Sequence, residues 1–141
     1  NVGGVLDAHG FPSIVPHRDT DPEKNADVQA SRVNFVDDNK VAHSGLVVAD
    51  VTLPSLGTGS ELEIGRLSGS GKIILMMKKN TKISRLPLGS PSVFACLEYV
   101  NYSDARKKLS RILRIFSGNP SELRRRASEE KRKMQKHLLE Q

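Results

Sequence analysis

Three short apolar runs decide the fold class of this chain: residues 45–51 (GLVVADV), 72–77 (KIILMM) and 93–100 (VFACLEYV). The first two are dominated by β-branched or long aliphatic side chains and the third is apolar at all but Glu98, without the polar alternation of a strand that has one wet face. Runs of this kind are strands covered on both sides, as in a parallel sheet flanked by helices. The intervening stretches fit that arrangement. Residues 26–39 read as a weak helix with Val28, Val33, Phe35 and Val36 as its apolar contacts. Residues 61–67 open a second helix and 103–116 a third. Residues 78–92 form a basic, Pro-containing connection not expected to be regular throughout. Strands alternating with helices predict an α/β fold: a doubly wound parallel sheet in three layers, of the Rossmann or flavodoxin-like kind.

The N-terminal region departs from the pattern. Residues 2–9 read as the last turns of a helix stopped by Gly10 at the C′ position, and 11–15 (FPSIV) as a further short strand. In an α/β unit such a helix follows a strand. We therefore expect the N-terminal strand and its loop to be absent from this chain. The expected organisation is an α/β domain over residues 1–102, followed by basic C-terminal helices over 103–141, the second spanning 121–140.

Composition narrows the setting. The 141 residues fit one domain, and with 4% aromatic content and no Trp the core must be aliphatic. The net charge of +6 is uneven: from Ser103 onward twelve Lys or Arg stand against five Asp or Glu, whereas the first 102 residues carry ten against eleven. The single cysteine, Cys96, cannot form an internal disulfide and sits in an apolar run, as an inert core residue in a reducing compartment would. No apolar run approaches the roughly 18–20 residues that cross a bilayer, and no signal peptide is visible. A cytoplasmic protein without membrane contact is expected. His9, His43 and His137 lack partners at ligand spacing, so no metal and no other cofactor are expected. In the last helix Leu123, Ala127, Met134 and Leu138 form a narrow stripe suited to packing on the domain or on a second subunit. Arg124–Arg126 and Lys131–Lys133 could attract nucleic acid, but no aromatic residues interleave with them, so that reading is unsupported.

Chemistry concentrates in residues 47–61 (VVADVTLPSLGTGSE), where a buried strand runs through a two-glycine loop into a helix. Gly57 and Gly59 allow close backbone approach, and free N–H groups at a helix start hold anions. Ser55, Thr58 and Ser60 add hydroxyl groups. Glu61 is expected at the helix start, where the dipole favours the ionised carboxylate that a nucleophile requires, although a Glu there also serves simply to stabilise a helix. His17 and Arg18, after the 11–15 strand, are placed to contact a base or a phosphate.

The run Ala49-Asp50-Val51-Thr52, followed by Pro54-Ser55-Leu56-Gly57-Thr58-Gly59-Ser60-Glu61-Leu62, resembles the signature of the nucleoside 2-deoxyribosyltransferase superfamily. It is nearest in pattern to the 2′-deoxynucleoside 5′-phosphate N-hydrolase branch, and a looser likeness extends over about residues 11–86. The resemblance implies that Glu61 attacks the anomeric carbon of a deoxyribose, displaces the base and leaves a covalent deoxyribosyl-enzyme for water or another base to resolve. It implies that Asp37 is the acid that protonates the departing base, with the adjacent Asp38 as alternative. Ser55 stands where nucleoside-using transferases carry an acid, which would repel a phosphate; a hydroxyl can donate to one. Ser55, Gly57 and Gly59 therefore imply a 5′-monophosphate substrate. Ser84 resembles a serine that reaches the phosphate from a neighbouring protomer, and a homodimer is implied. The family's Tyr-x-x-Gly-type loop on the first strand is missing here, and the stretch between Glu61 and Gly71 is about two residues longer than such helix-to-strand loops usually are. The expected function is hydrolysis of 2′-deoxynucleoside 5′-monophosphates to base and deoxyribose 5-phosphate. The alternatives are base exchange by a deoxyribosyltransferase, and a non-catalytic nucleotide-binding module with a basic tail.

Overall fold

The structure is a computed structural model that describes residues 2–15, 26–68 and 72–118, with side chains through 114. Along the chain run α1 (Val2–Ala8), α2 (Ala30–Ala42), β1 (Leu46–Asp50), α3 (Leu56–Leu67), β2 (Lys72–Lys78), α4 (Arg85–Gly89), β3 (Val93–Tyr99) and α5 (Tyr102–Gly118). The strands form one sheet in the order β1-β2-β3, parallel throughout, with Leu46 opposite Lys72 and Ile73 opposite Val93. This is the expected open α/β sheet with helices on both faces.

β2 shows why. Its residues from Ile73 to Met77 are all at most 3% exposed, although successive side chains of a strand point to opposite faces. Ile74 and Met76 pack with Leu97, Tyr99, Ala105, Leu109 and Leu113, with α1 residues Val5 and Leu6 against the same cluster. Ile73, Leu75 and Met77 pack with Ala49, Cys96 and Leu88 on the other face, joined by Val47 and by Leu62 of α3. Both faces are dry, which is what the near-continuous apolar runs require.

α5 meets the sheet through Ala105, Leu109 and Leu113, spaced by four and fully or almost fully buried, while Arg106, Lys107, Arg111 and Arg114 lie outside. The helix starts on a nearly complete capping box. Asn101 Oδ1 accepts from the Asp104 amide at 3.0 Å, and Asp104 Oδ2 accepts from the Val100 amide at 3.1 Å. The helix expected over 121–140 lies outside the described residues.

At the N-terminus the expected stop is in place. Gly10 has φ +79°, its amide donates to Asp7 O, and the Phe11 amide donates to Leu6 O, both at 3.0 Å, which is a Schellman ending. The strand expected over residues 11–15 is not formed. Pro12 has no amide to offer, the Phe11 amide is held by Leu6, and the Ser13 amide donates to Asp7 Oδ1 at 2.8 Å, so the helix end takes the donors that a ladder would need.

Candidate active site

The C-terminal ends of all three strands are tied together by one hydrogen-bond network. The buried Tyr99, last residue of β3, donates its hydroxyl to Asp50 Oδ2 at the end of β1, at 2.5 Å. Asp50 Oδ1 accepts from the Thr52 amide at 3.0 Å and from Thr52 Oγ1 at 2.5 Å. Thr52 Oγ1 in turn accepts from the Lys78 amide at the end of β2, at 3.0 Å. Burial, and next the hydrogen bond to Asp50, raise the pKa of the Tyr99 phenol above its ordinary value. The network fixes the start of the loop into α3, on the edge where α/β sheets bind ligands. In the sequence Asp50 is visible only as a charged residue near the end of an apolar run. The role of Tyr99 is not legible there, since a Tyr closing an apolar run signals only burial.

α3 begins earlier than the sequence implied. Ser55 is its N-cap, with Oγ accepting from the Thr58 amide at 3.4 Å, and the helix runs from Leu56. Two glycines in four residues disguised the first turn, because glycine is a poor helix former. Two consequences follow. The Gly59 amide already donates to Ser55 O at 3.0 Å, leaving Leu56 and Gly57 with the outward-facing amides that every helix start carries. Glu61 lies in the second turn rather than at the helix start, so the dipole acts on it less than anticipated.

Glu61 and Asp37 stand on the wall of one cavity of about 850 Å³. Their relation follows from packing at Gly65. A Cβ on Gly65 would lie 3.4 Å from Val47 Cγ2, 3.7 Å from Ile73 Cδ1 and 3.8 Å from Val41 Cγ1, so α3 rests almost directly on β1 and β2 with α2 alongside. Both helices run antiparallel to β1: α2 ends at its start, and α3 leaves from its end. Val41 and Gly65 are therefore level with each other. Asp37 and Glu61, each four residues earlier, lie one turn or about 6 Å nearer the ligand-binding edge. Both carboxylates are half-buried. Lys40 lines the same cavity, a cation near the pair. Asp38 accepts from Asn34 Nδ2 at 2.9 Å and is not among the residues lining the cavity.

The remaining candidates are dispersed. Ser55 and Gly57 are exposed at the head of α3. Ser84 caps α4, its Oγ accepting from the Leu86 amide at 3.3 Å, and lines neither this cavity nor the second one, of about 660 Å³, between α3 and α4. His17 lies outside the described residues. Cys96 is buried in the sheet. Among the described residues no group of three or more His, Cys, Asp or Glu could hold a metal ion, and no helix is long and apolar enough to cross a membrane.

No protein-family model matches the chain, and no curated protein matches it. Among solved structures, it is similar to the Clostridium botulinum CMP N-glycosidase BcmB. The TM-score is 0.55 at 22% identity, over 62% of this chain and 73% of that one. The likeness establishes a shared fold.

Proposed function

We propose that this protein is an N-glycosidase of nucleoside 5′-monophosphates, with 2′-deoxynucleotides as substrates and Glu61 as nucleophile. The observation that carries this reading is that Glu61 and Asp37 line one cavity beside β1, on helices packed against each other. Two carboxylates facing one space are what cleavage at an anomeric carbon uses. A Glu61 oxygen attacks C1′ as the C1′–N bond breaks. Asp37, protonated, gives its proton to the departing base. The resulting glycosyl ester of Glu61 is opened by water, which loses a proton to Asp37 and leaves deoxyribose 5-phosphate. Ser55 Oγ and the Gly57 amide hold the 5′-phosphate, with Gly59 keeping the surface free of a side chain there. His17 completes the base or phosphate contacts, and Ser84 supplies a contact from a second subunit in a homodimer.

The identity of the fold neighbour favours a second reading on one point: that enzyme is a CMP N-glycosidase, so a ribonucleotide is the rival substrate. One experiment tests both. The protein and its Glu61→Gln variant are incubated with each deoxy- and ribonucleoside 5′-monophosphate and with the matching nucleosides, and free base is quantified by chromatography. Base release from deoxynucleoside monophosphates that Glu61→Gln abolishes supports the reading. Release from CMP instead moves the substrate to the ribo series, and release from nothing overturns the proposal.

A further inference from the structure

We infer, on the glycosidase reading above, that Thr52 is a positioning residue: its hydroxyl holds the first turn of α3 in place for the substrate's 5′-phosphate. The ends of all three strands meet at Thr52 Oγ1. It donates its proton to Asp50 Oδ1, at the end of β1, at 2.5 Å. It accepts from the Lys78 amide at the end of β2, at 3.0 Å, and lies 3.3 Å from the hydroxyl of Tyr99 at the end of β3. The Tyr99 proton goes to Asp50 Oδ2, so it is Thr52 that joins the carboxylate to the main chain of the central strand. The next two residues have no such hold. Leu53 and Pro54 are exposed, and neither belongs to the core clusters on the two faces of the sheet. Thr52 is thus the last anchored residue before the Ser55 cap. Pro54 has a fixed φ, so the link is short and stiff, and a displacement of Thr52 is passed on to Ser55.

The first turn of α3 needs that support. Two of its first four residues are glycine, among the poorest helix formers. The cap from Ser55 Oγ to the Thr58 amide is long, at 3.4 Å. Leu56 is 94% exposed, and Ser55, Gly57, Gly59 and Ser60 are exposed as well, so little of the sheet lies beneath this turn. Packing on the sheet begins with Leu62 and Gly65. α3 is therefore held by different means at its two ends, and the ends serve different parts of the proposed reaction. Glu61 adjoins the packed part, whereas Ser55 and Gly57 lie in the part steadied through Thr52. Loss of the hydroxyl should weaken phosphate binding and leave the chemical step nearly intact.

The test compares the full wild-type chain with Thr52→Val, which keeps the shape and removes the hydroxyl, and Thr52→Ser, which keeps the hydroxyl. Thr52→Val should raise KM for deoxynucleoside 5′-monophosphates at least tenfold and leave kcat within threefold. Amide exchange at Gly59, whose N–H closes the first turn on Ser55 O, should quicken at least tenfold. Exchange at Gly65, in the packed part of the same helix, should change less than threefold. Thr52→Ser should bring KM and exchange back to within threefold of wild type. An unchanged KM, a fall in kcat as large as the rise in KM, equal quickening at Gly59 and Gly65, or no rescue by Thr52→Ser overturns the inference. A wild type that releases base from nucleosides but not from monophosphates overturns it and leaves the glycosidase standing. A wild type that releases no base sinks the glycosidase reading, and calorimetric affinity for deoxyadenosine 5′-monophosphate then replaces KM. A tenfold loss in Thr52→Val, rescued by Thr52→Ser, would sustain the role of Thr52; no difference, or no binding, overturns it.

Discussion

The Tyr99 hydroxyl and Asp50 Oδ2, 2.5 Å apart, join the ends of the two outer strands across β2. Removing that hydroxyl leaves Asp50 with the two donors of Thr52 and deprives the sheet end of its longest-range bond. Tyr99→Phe should lower stability by about 0.5–1.5 kcal/mol, the usual net worth of such a bond, as read by urea denaturation. The same phenol carries a pH signature. Its pKa is raised in the folded state, so the folded protein holds the proton more tightly than the unfolded chain. That stability is fully present below about pH 10, the unfolded value, and is lost as pH rises towards the folded one. Unfolding curves from pH 8 to 11 should show the loss in the wild type and a smaller one in Tyr99→Phe.

The N-terminal cap of α5 should behave as a local unit. Asn101→Ala removes the acceptor for the Asp104 amide and should cost about 1 kcal/mol. The Asp104 carboxyl is held below its ordinary range, first by the hydrogen bond from Lys108 and then by the Val100 amide. Its contribution is present above about pH 4 and fades as pH falls through the folded value. The stability difference between wild type and Asp104→Asn should accordingly shrink between pH 5 and pH 2.

Leu109 anchors α5 with no exposed surface. Leu109→Ala should cost about 2–5 kcal/mol, through lost burial and the cavity left behind. A change below about 1 kcal/mol in chemical denaturation would show that the helix is not part of the cooperative core.

For the proposed chemistry, Asp37→Asn should reduce kcat by about 10²- to 10⁴-fold, the ordinary contribution of a general acid. The loss should be smallest for substrates whose base leaves readily without protonation, and Asp38→Asn should change kcat little. Equal effects of the two substitutions, measured by steady-state base release, would remove Asp37 from its role.

Ser55→Asp places a carboxylate at the head of α3, where the 5′-phosphate is proposed to sit. It should raise KM for monophosphates at least tenfold while sparing any turnover of unphosphorylated nucleosides. The two substrate series measured side by side decide it.

How much of this was legible beforehand depended on the range of the forces involved. β1, β2 and β3 were readable because dry strands leave an unbroken apolar record, and Gly10 was readable because a helix ending in positive φ favours glycine. Residues 11–15 misled: FPSIV has strand composition, but the side chain of Asp7 and the carbonyl of Leu6 capture its first amides, a competition that composition does not record. The start of α3 was misplaced for a related reason, since Gly57 and Gly59 resemble a loop until the Ser55 cap and the contact with β1 hold them helical. Glu61 could be singled out within the 47–62 motif, and Asp37, with Asp38 as alternative, only through the resemblance. Their shared level was not, because it depends on how two helices lie side by side.

Gly65 lines neither cavity, yet it sets how closely α3, which carries Glu61, rests on β1, β2 and Val41 of α2. An added methyl would just touch Val47, 3.4 Å away, whereas a branched side chain would press on Val47, Ile73 and Val41 and push at the helix that carries Glu61. In the proposed reaction, Gly65→Val should therefore displace Glu61 from the sugar as well as cost stability. The proposed spacing of the two acids thus depends on a missing side chain in the layer beneath them.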